Sequence, residues 1–459
     1  MGWTDTSVEF HSEATDNNEY FQTPNMEWLA EQGVKFTNAY SASTVSSPTR
    51  TSLLNGMNPA KSKITNWIAG EGKQAADRTK HSIPEWNKDG LKTEDQTLVS
   101  FLKSHNYITA HIGKAHLGRR GTEGAEPLNL GFDIYIGGYA NGQPASFYVP
   151  YGKDDHPFKV KHLEDLYADS LYLNDALTVK ANALIDQFTK GDKPFFLHMA
   201  HYALHTPIQG DTTLLYKYKR DDKNIHAQHY ATMVESMDKS LGEIISKLKE
   251  KNILDNTIIL FMSDNGGLIS HTGPPTSNFP LRSGKGSSYE GGTRVPMIAY
   301  WPEKIKGNTI SDEIVVSYDI YPTLIEQLTS KEDAIQFSKK NAGKSLIPIF
   351  EGGKFEKDRV VIWHYPHYWA NLRIRNADPG IHPYSAIREG NWKLIYNYDN
   401  EEIELYNLKS DLGETNNLVE VNSEIAKELC KKLSDYLIEV NAQLPINRET
   451  NEEVAYPHL

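Results

Sequence analysis

The stretch SASTVSSPTRTSLLNG, residues 41–56, holds residue types that can grip an anion. Pro48 suits the first turn of a helix, which places Ser46 at or just before a helix N-terminus, where unpaired backbone N–H groups favour negative charge. Arg50, one turn further on, adds a fixed cation. Taken alone, this is an ordinary Ser/Thr cap followed by a surface arginine. Other polar residues recur at comparable places: Lys114 and His116 follow YITAHIG, His205 follows PFFLHMAHYA, Asp264 and Asn265 follow NTIILFMS, and Lys285 lies in a glycine-rich loop before VPMIAYW. Singly, each reads as a surface or turn residue. Together, and in order, they point to one site.

The elements that must position them alternate. PNMEWLAEQ, residues 24–32, has helical apolar spacing and Gly33 as a stop, and VKFTNAYSAS alternates like a strand. Helical patterns such as YLNDALTVKANALIDQF and YATMVESMDKSLGEIISKLKE lie between the strand-like runs. Alternation of this kind predicts an α/β fold with a large, mostly parallel sheet flanked by helices. In such sheets ligands bind beyond the carboxyl ends of strands, where the residues named above fall. After about residue 345 the pattern changes to the short strands RVVIWHYP, YSAIREG, WKLIYNYD and EIELYNL, closed by one helix. A smaller C-terminal antiparallel sheet with a helix is therefore expected, giving a main domain over 1–345 and a subdomain over 346–459.

Composition narrows the partners. With 459 residues, 39% of them hydrophobic, the chain can bury a sizeable core. A net charge of −12 argues against nucleic acid, although a locally basic pocket still admits a polyanion. Twenty-five tyrosines and eight tryptophans serve packing first and sugar stacking second. The single cysteine, Cys430, lies in the amphipathic SEIAKELCKKLSDYLIEV and is expected to pack; no internal disulfide is possible. No run has the length of a membrane span, and no signal-peptide pattern is seen before MGWTDTSVEF.

The spacing S-x-P-x-R, with Gly56 six residues beyond Arg50, resembles the signature of the formylglycine-dependent sulfatases, arylsulfatase-like members of the alkaline phosphatase superfamily. GKAHLG, HYALHTPIQ, SDNGG, PLRSGKGSSYEGGTRVP and ELYNLKSDLGETNNL are similar to further segments of that family, in the same order. The resemblance implies a serine-type bacterial carbohydrate sulfatase of alkaline-phosphatase-like fold. It implies that a maturing enzyme oxidises Ser46 to formylglycine, whose hydrate is the nucleophile. Lys114 and His116 would bind sulfate or tune the nucleophile, with His205 and Lys285 completing the catalytic set. Asp264, Asn265 and Ser46 would hold a metal, and their hard oxygens suit Ca²⁺ ahead of Mg²⁺. A sulfated geminal diol can expel sulfate by re-forming the aldehyde, which a serine ester cannot do. Cations steady the sulfate oxygens, and His205 or His116 would protonate the leaving alcohol. In the family a strand ending in a paired Asp-Asp precedes the counterpart of MGWTDTS and both aspartates bind the metal; this chain starts after that point, and Asp5 is too far along to replace them.

The segment WHYPHYWANLRIRNADPGIHPYSAIREG offers His364, His367, Arg373, Arg375 and His382 as substrate-binding residues, with Trp67 as a further candidate. Arg, His and aromatic side chains together suit a sulfated sugar, and the family resemblance implies one of galactose or N-acetylgalactosamine type. The competing expectations are a phosphate or phosphonate monoester hydrolase of the same superfamily and a non-catalytic sulfoglycan-binding protein. Family analogy implies a periplasmic or secreted location.

Overall fold

The computed structural model describes residues 1–68, 79–269, 274–355, 359–369, 378 and 380–459. Strand Ile108–Gly113 pairs in parallel with Ile134–Ile136 on one side and Phe195–Ala200 on the other. A second group is built on Met297–Tyr300, antiparallel to both Val34–Phe36 and Ile259–Met262, with Val34–Phe36 in turn parallel to Thr309–Ser311.

The helix Leu173–Phe188 turns Leu173, Ala176, Leu177, Ala181 and Leu184 inward. That spacing gives one apolar stripe, which meets Ala110 and Ile112 of the central parallel strand in a shared core. The long helix Ile225–Glu250 packs beside it, contributing Tyr230, Ala231, Met233 and Val234. The predicted α/β class with flanking helices is what forms.

The helix Ser46–Asn55 carries the signature. Pro48 occupies its first turn, and Gly56, at φ +69°, ends it in the left-handed region with its N–H donating to Ser52 O. A residue with a Cβ is strained there, which explains the glycine at this spacing.

The C-terminal strands Val360–Tyr365, Tyr384–Glu389, Trp392–Asn397 and Ile403–Asn407 form one antiparallel sheet in sequence order. Helix Ser423–Glu439 covers one face with Leu429, Cys430, Leu433 and Leu437. Burial pushes the Cys430 thiol up to about 11, so it stays protonated and packs as an apolar group. The opposite face meets Tyr40, Ala42 and Val45, the lead-in to Ser46, and Trp363 Nε1 donates to Ser41 O at 3.0 Å. The small sheet thus buttresses the segment that presents Ser46.

Candidate active site

A cavity of about 670 Å³ is lined by Ser46, Arg50, Lys114, His116, His205, Asp264, Asn265 and Lys285. The fold brings all eight residues to one place from three separate strand ends, one helix start and the loop that bears Lys285. Lys114 Nζ donates to Ser46 Oγ at 2.8 Å, and Ser46 Oγ donates to Asn265 Oδ1 at 3.2 Å. Arg50 Nε reaches Asp264 Oδ2 at 2.8 Å, while its Nη1 donates to Lys114 O at 2.7 Å. Lys114 Nζ also lies 3.4 Å from Asp264 Oδ2. Lys285 is held near them because its backbone N–H donates to Gly267 O, at the end of SDNGG.

These charges outnumber their counter-charges. Burial opposes ionisation of Asp264, but Lys114, Arg50 and Lys285 together hold its carboxyl well below the usual range. Burial pulls the Lys114 ammonium far down; Asp264 resists, and Arg50 and Lys285 add to the fall. Lys285 is lowered by burial, against Asp264 and with Arg50. One carboxylate among three cations leaves a net positive pocket, and an anion is its natural complement.

His116 is buried and His205 half-buried, and both are held neutral. For His116, burial and then Lys114 push the imidazole well down; for His205, burial and then Lys285 do so. His116 Nε2 lies 2.6 Å from Ile68 O, so the proton sits on Nε2 and Nδ1 presents a lone pair that has no partner among the described residues. His205 Nδ1 lies 3.1 Å from Thr206 O, which places its proton on Nδ1 and leaves Nε2 free of hydrogen. A bound anionic ester supplies the negative charge that favours protonating either ring.

Of the expected substrate residues, Trp67 lines the cavity; Arg373 and Arg375 lie outside the described residues. His364, His367 and His382 do not line it. His364 is 2% exposed, with Ser385 Oγ on one ring nitrogen and Gln443 O on the other. His367 is fully buried against Thr65 Oγ1, and His382 turns Nδ1 to Pro383 O. Strand pairing turns His364 inward, and hydrogen bonds to Thr65 Oγ1 and Pro383 O hold His367 and His382, so none of the three faces the cavity.

Trp369, in the same candidate substrate segment, does line the cavity, and the wall also includes residues that sequence reasoning passed over: His198, His201, Arg120 and Asn141. His198 and His201 belong to the very run that ends at His205, and the alternation of a strand could have flagged His198. His198 Nδ1 lies 3.2 Å from His111 Nδ1 on the neighbouring strand, opposite it in register.

Among the described residues no group of three or more His, Cys, Asp or Glu gathers to hold a metal. The donors on hand are one carboxylate, one amide oxygen and one hydroxyl: Asp264, Asn265 and Ser46. Arg50 and Lys114 both engage the same oxygen of Asp264. These are hard, unlike oxygens, and they fit a hard divalent cation that completes its shell elsewhere.

Residues 6–330 match the model of the sulfatase family. The chain belongs to the sulfatase family. Residues 284–443 further match the C-terminal model of N-sulphoglucosamine sulphohydrolase. A sulfatase of Formosa agariphila is 30% identical over 510 aligned residues, covering 100% of this chain and 90% of that protein. The N-acetylgalactosamine-6-sulfatase of Homo sapiens is 27% identical, covering 80% of this sulfatase and 70% of its own length. Among solved structures, Ps i-CgsB in complex with k-i-k-neocarrahexaose superposes with a TM-score of 0.76 at 27% identity, covering 95% of this sulfatase and 90% of that chain. Family membership makes the reaction class hydrolysis of a sulfuric ester, and the fold is of alkaline-phosphatase-like type.

Proposed function

We propose that this sulfatase removes sulfate from a sulfated carbohydrate of galactose or N-acetylgalactosamine type, using formylglycine made from Ser46. The observation that carries the reading is the 2.8 Å contact of Lys114 Nζ with Ser46 Oγ inside a pocket where Arg50, Lys114 and Lys285 surround one carboxylate. The substrate class is supported by the N-acetylgalactosamine-6-sulfatase and carrahexaose-bound relatives. A periplasmic or secreted location accompanies that substrate; among the described residues no helix is long and apolar enough to cross a membrane.

The formyl group, once hydrated, supplies covalent catalysis with a built-in route for releasing sulfate. A divalent cation, Ca²⁺ ahead of Mg²⁺ because the unlike donors suit an irregular shell, would be held by Asp264 and Asn265 and would supply further positive charge to the sulfate oxygens. The chain's own residues do the rest. Lys114 and Lys285 hold sulfate oxygens, and Arg50 fixes Asp264 and Lys114 relative to Ser46. His205 Nε2, free of hydrogen in the resting site, gains a proton when the anionic ester binds and passes it to the leaving alcohol; His116 Nδ1 is the alternative donor.

Protein isolated from its native producer and digested with trypsin tests this reading through the peptide of residues 36–50. A peptide lighter by two hydrogens at Ser46, or its hydrate, is expected. Unmodified serine throughout, in protein that hydrolyses sulfate esters, overturns the mechanism.

A further inference from the structure

One wall of the cavity carries polar groups that the chemistry at Ser46 does not use. Asn141 lines it and is 4% exposed. Its Nδ2 donates to Pro157 O, and its Oδ1 is buried with no partner among the described residues. A buried carbonyl oxygen without a donor is uncommon and calls for an explanation. Gly142 explains how it comes to be there: a Cβ at that position would lie 2.6 Å from the His116 ring, so only glycine lets this segment press against the catalytic histidine. Arg120 stands on the same wall, exposed, donating through Nη2 to the same Pro157 O at 2.8 Å. It forms no ion pair with an acidic side chain among the described residues. Trp67 and Phe158 bring aromatic surface to the same cavity.

We propose that Asn141 and Arg120 form the saccharide-recognition wall of this sulfatase. Asn141 Oδ1 accepts a hydrogen bond from a hydroxyl or acetamido N–H of the ring that bears the scissile sulfate. Arg120, further out, binds a second anionic substituent on an adjoining sugar, with Trp67 and Phe158 offering stacking faces. The wall thus selects a sulfated oligosaccharide over a bare sulfate ester. This inference rests on the carbohydrate reading above and deepens it.

The test is calorimetric titration of the full chain with three probes: inorganic sulfate, N-acetylgalactosamine 6-sulfate and a multiply sulfated neocarrahexaose. In Asn141→Leu, both sugars are expected to bind about tenfold more weakly while sulfate affinity is unchanged, as for loss of one hydrogen bond to a buried acceptor. In Arg120→Gln, at an exposed position, the hexaose alone weakens, and its sensitivity to added NaCl falls. Retained sulfate binding shows that each variant is folded. Sugar affinities unchanged in both variants, or sulfate and sugars weakened by the same factor in Arg120→Gln, overturn the wall. Wild-type protein that binds sulfate but neither sugar overturns the carbohydrate reading itself, before any variant is compared.

Discussion

At the scale of single residues, the site is built from groups whose proton affinities burial and neighbouring charges have shifted. Burial and then Lys285 hold the His205 imidazole well below its ordinary value, so the proposed proton donation needs the bound anion's charge to raise it. Replacing His205 by glutamine is expected to lower kcat for a sugar sulfate by roughly 10²–10⁴-fold. The loss on 4-nitrophenyl sulfate should be much smaller, because nitrophenolate leaves without help; equal losses on the two substrates count against a general-acid role. Gly142→Ala places a methyl group against the His116 ring, 2.6 Å from its Cε1. It should lower kcat on sugar and aryl sulfates alike, unlike Asn141→Leu.

At the scale of elements, the contact that matters joins the small sheet to the loop bearing Lys285. Lys393, on strand Trp392–Asn397, is fully buried between Glu290 at 3.0 Å and Glu414 at 2.8 Å. Glu290 opens the short helix Glu290–Thr293 just beyond Lys285, and it also takes Arg294 at 3.2 Å and Tyr40 OH at 2.6 Å. Lys393→Met leaves two carboxyl groups buried without their shared cation and is expected to cost about 3–5 kcal/mol in urea unfolding. A loss below 1 kcal/mol would mean that the charges are solvated or idle.

The same cluster sets a pH dependence. Burial raises Glu414 from its ordinary 4.5 to about 7, against Lys393 and with Glu290. Glu290 moves the other way, to about 2, since Lys393, Arg294 and Arg388 overcome its burial. One lysine cannot neutralise two carboxylates, so Glu414 is the one that takes up a proton. A carboxyl raised on folding binds more protons folded than unfolded, so its contribution is complete below about 4.5 and is lost as pH rises towards 7. The unfolding midpoint should fall across that window, and Glu414→Gln should flatten the slope.

At the scale of the whole molecule, a chain of net charge −12 concentrates positive charge in one buried pocket. Free sulfate should therefore stabilise it by mass action, about 1.4 kcal/mol for each tenfold rise in sulfate above its dissociation constant. The thermal midpoint should climb with sulfate in wild type and not in Lys114→Ala. A sulfate effect that survives in Lys114→Ala would place the anion elsewhere. Because the pocket is buried, added NaCl should weaken sulfate binding less than it weakens contacts at exposed Arg120.

Ser46, Arg50, Lys114, His116, His205, Asp264 and Asn265 were legible in the chain because they sit at strand ends or a helix start that local patterning marks, and Lys285 because it lies in a glycine-rich loop before a strand-like run. Alternating apolar runs define those ends, and Pro48 and Gly56 bracket the helix that carries Ser46. Their convergence on one cavity follows from a general property of α/β sheets, that strand ends meet along one edge. The inward turn of His364, His367 and His382 was decided by tertiary structure alone. Periodicity shows that His364 lies in a strand, but its face depends on register with a strand twenty residues away, while His367 and His382, in loops, are fixed by partners such as Thr65 and Pro383 that no local pattern marks. Asn141 and Arg120 were invisible for a related reason. Each lies in an irregular stretch with no repeating pattern, Arg120 just past GKAHLG and Asn141 beyond strand Ile134–Ile136, and the close approach of Gly142 to His116 accompanies the second stretch's place at the site.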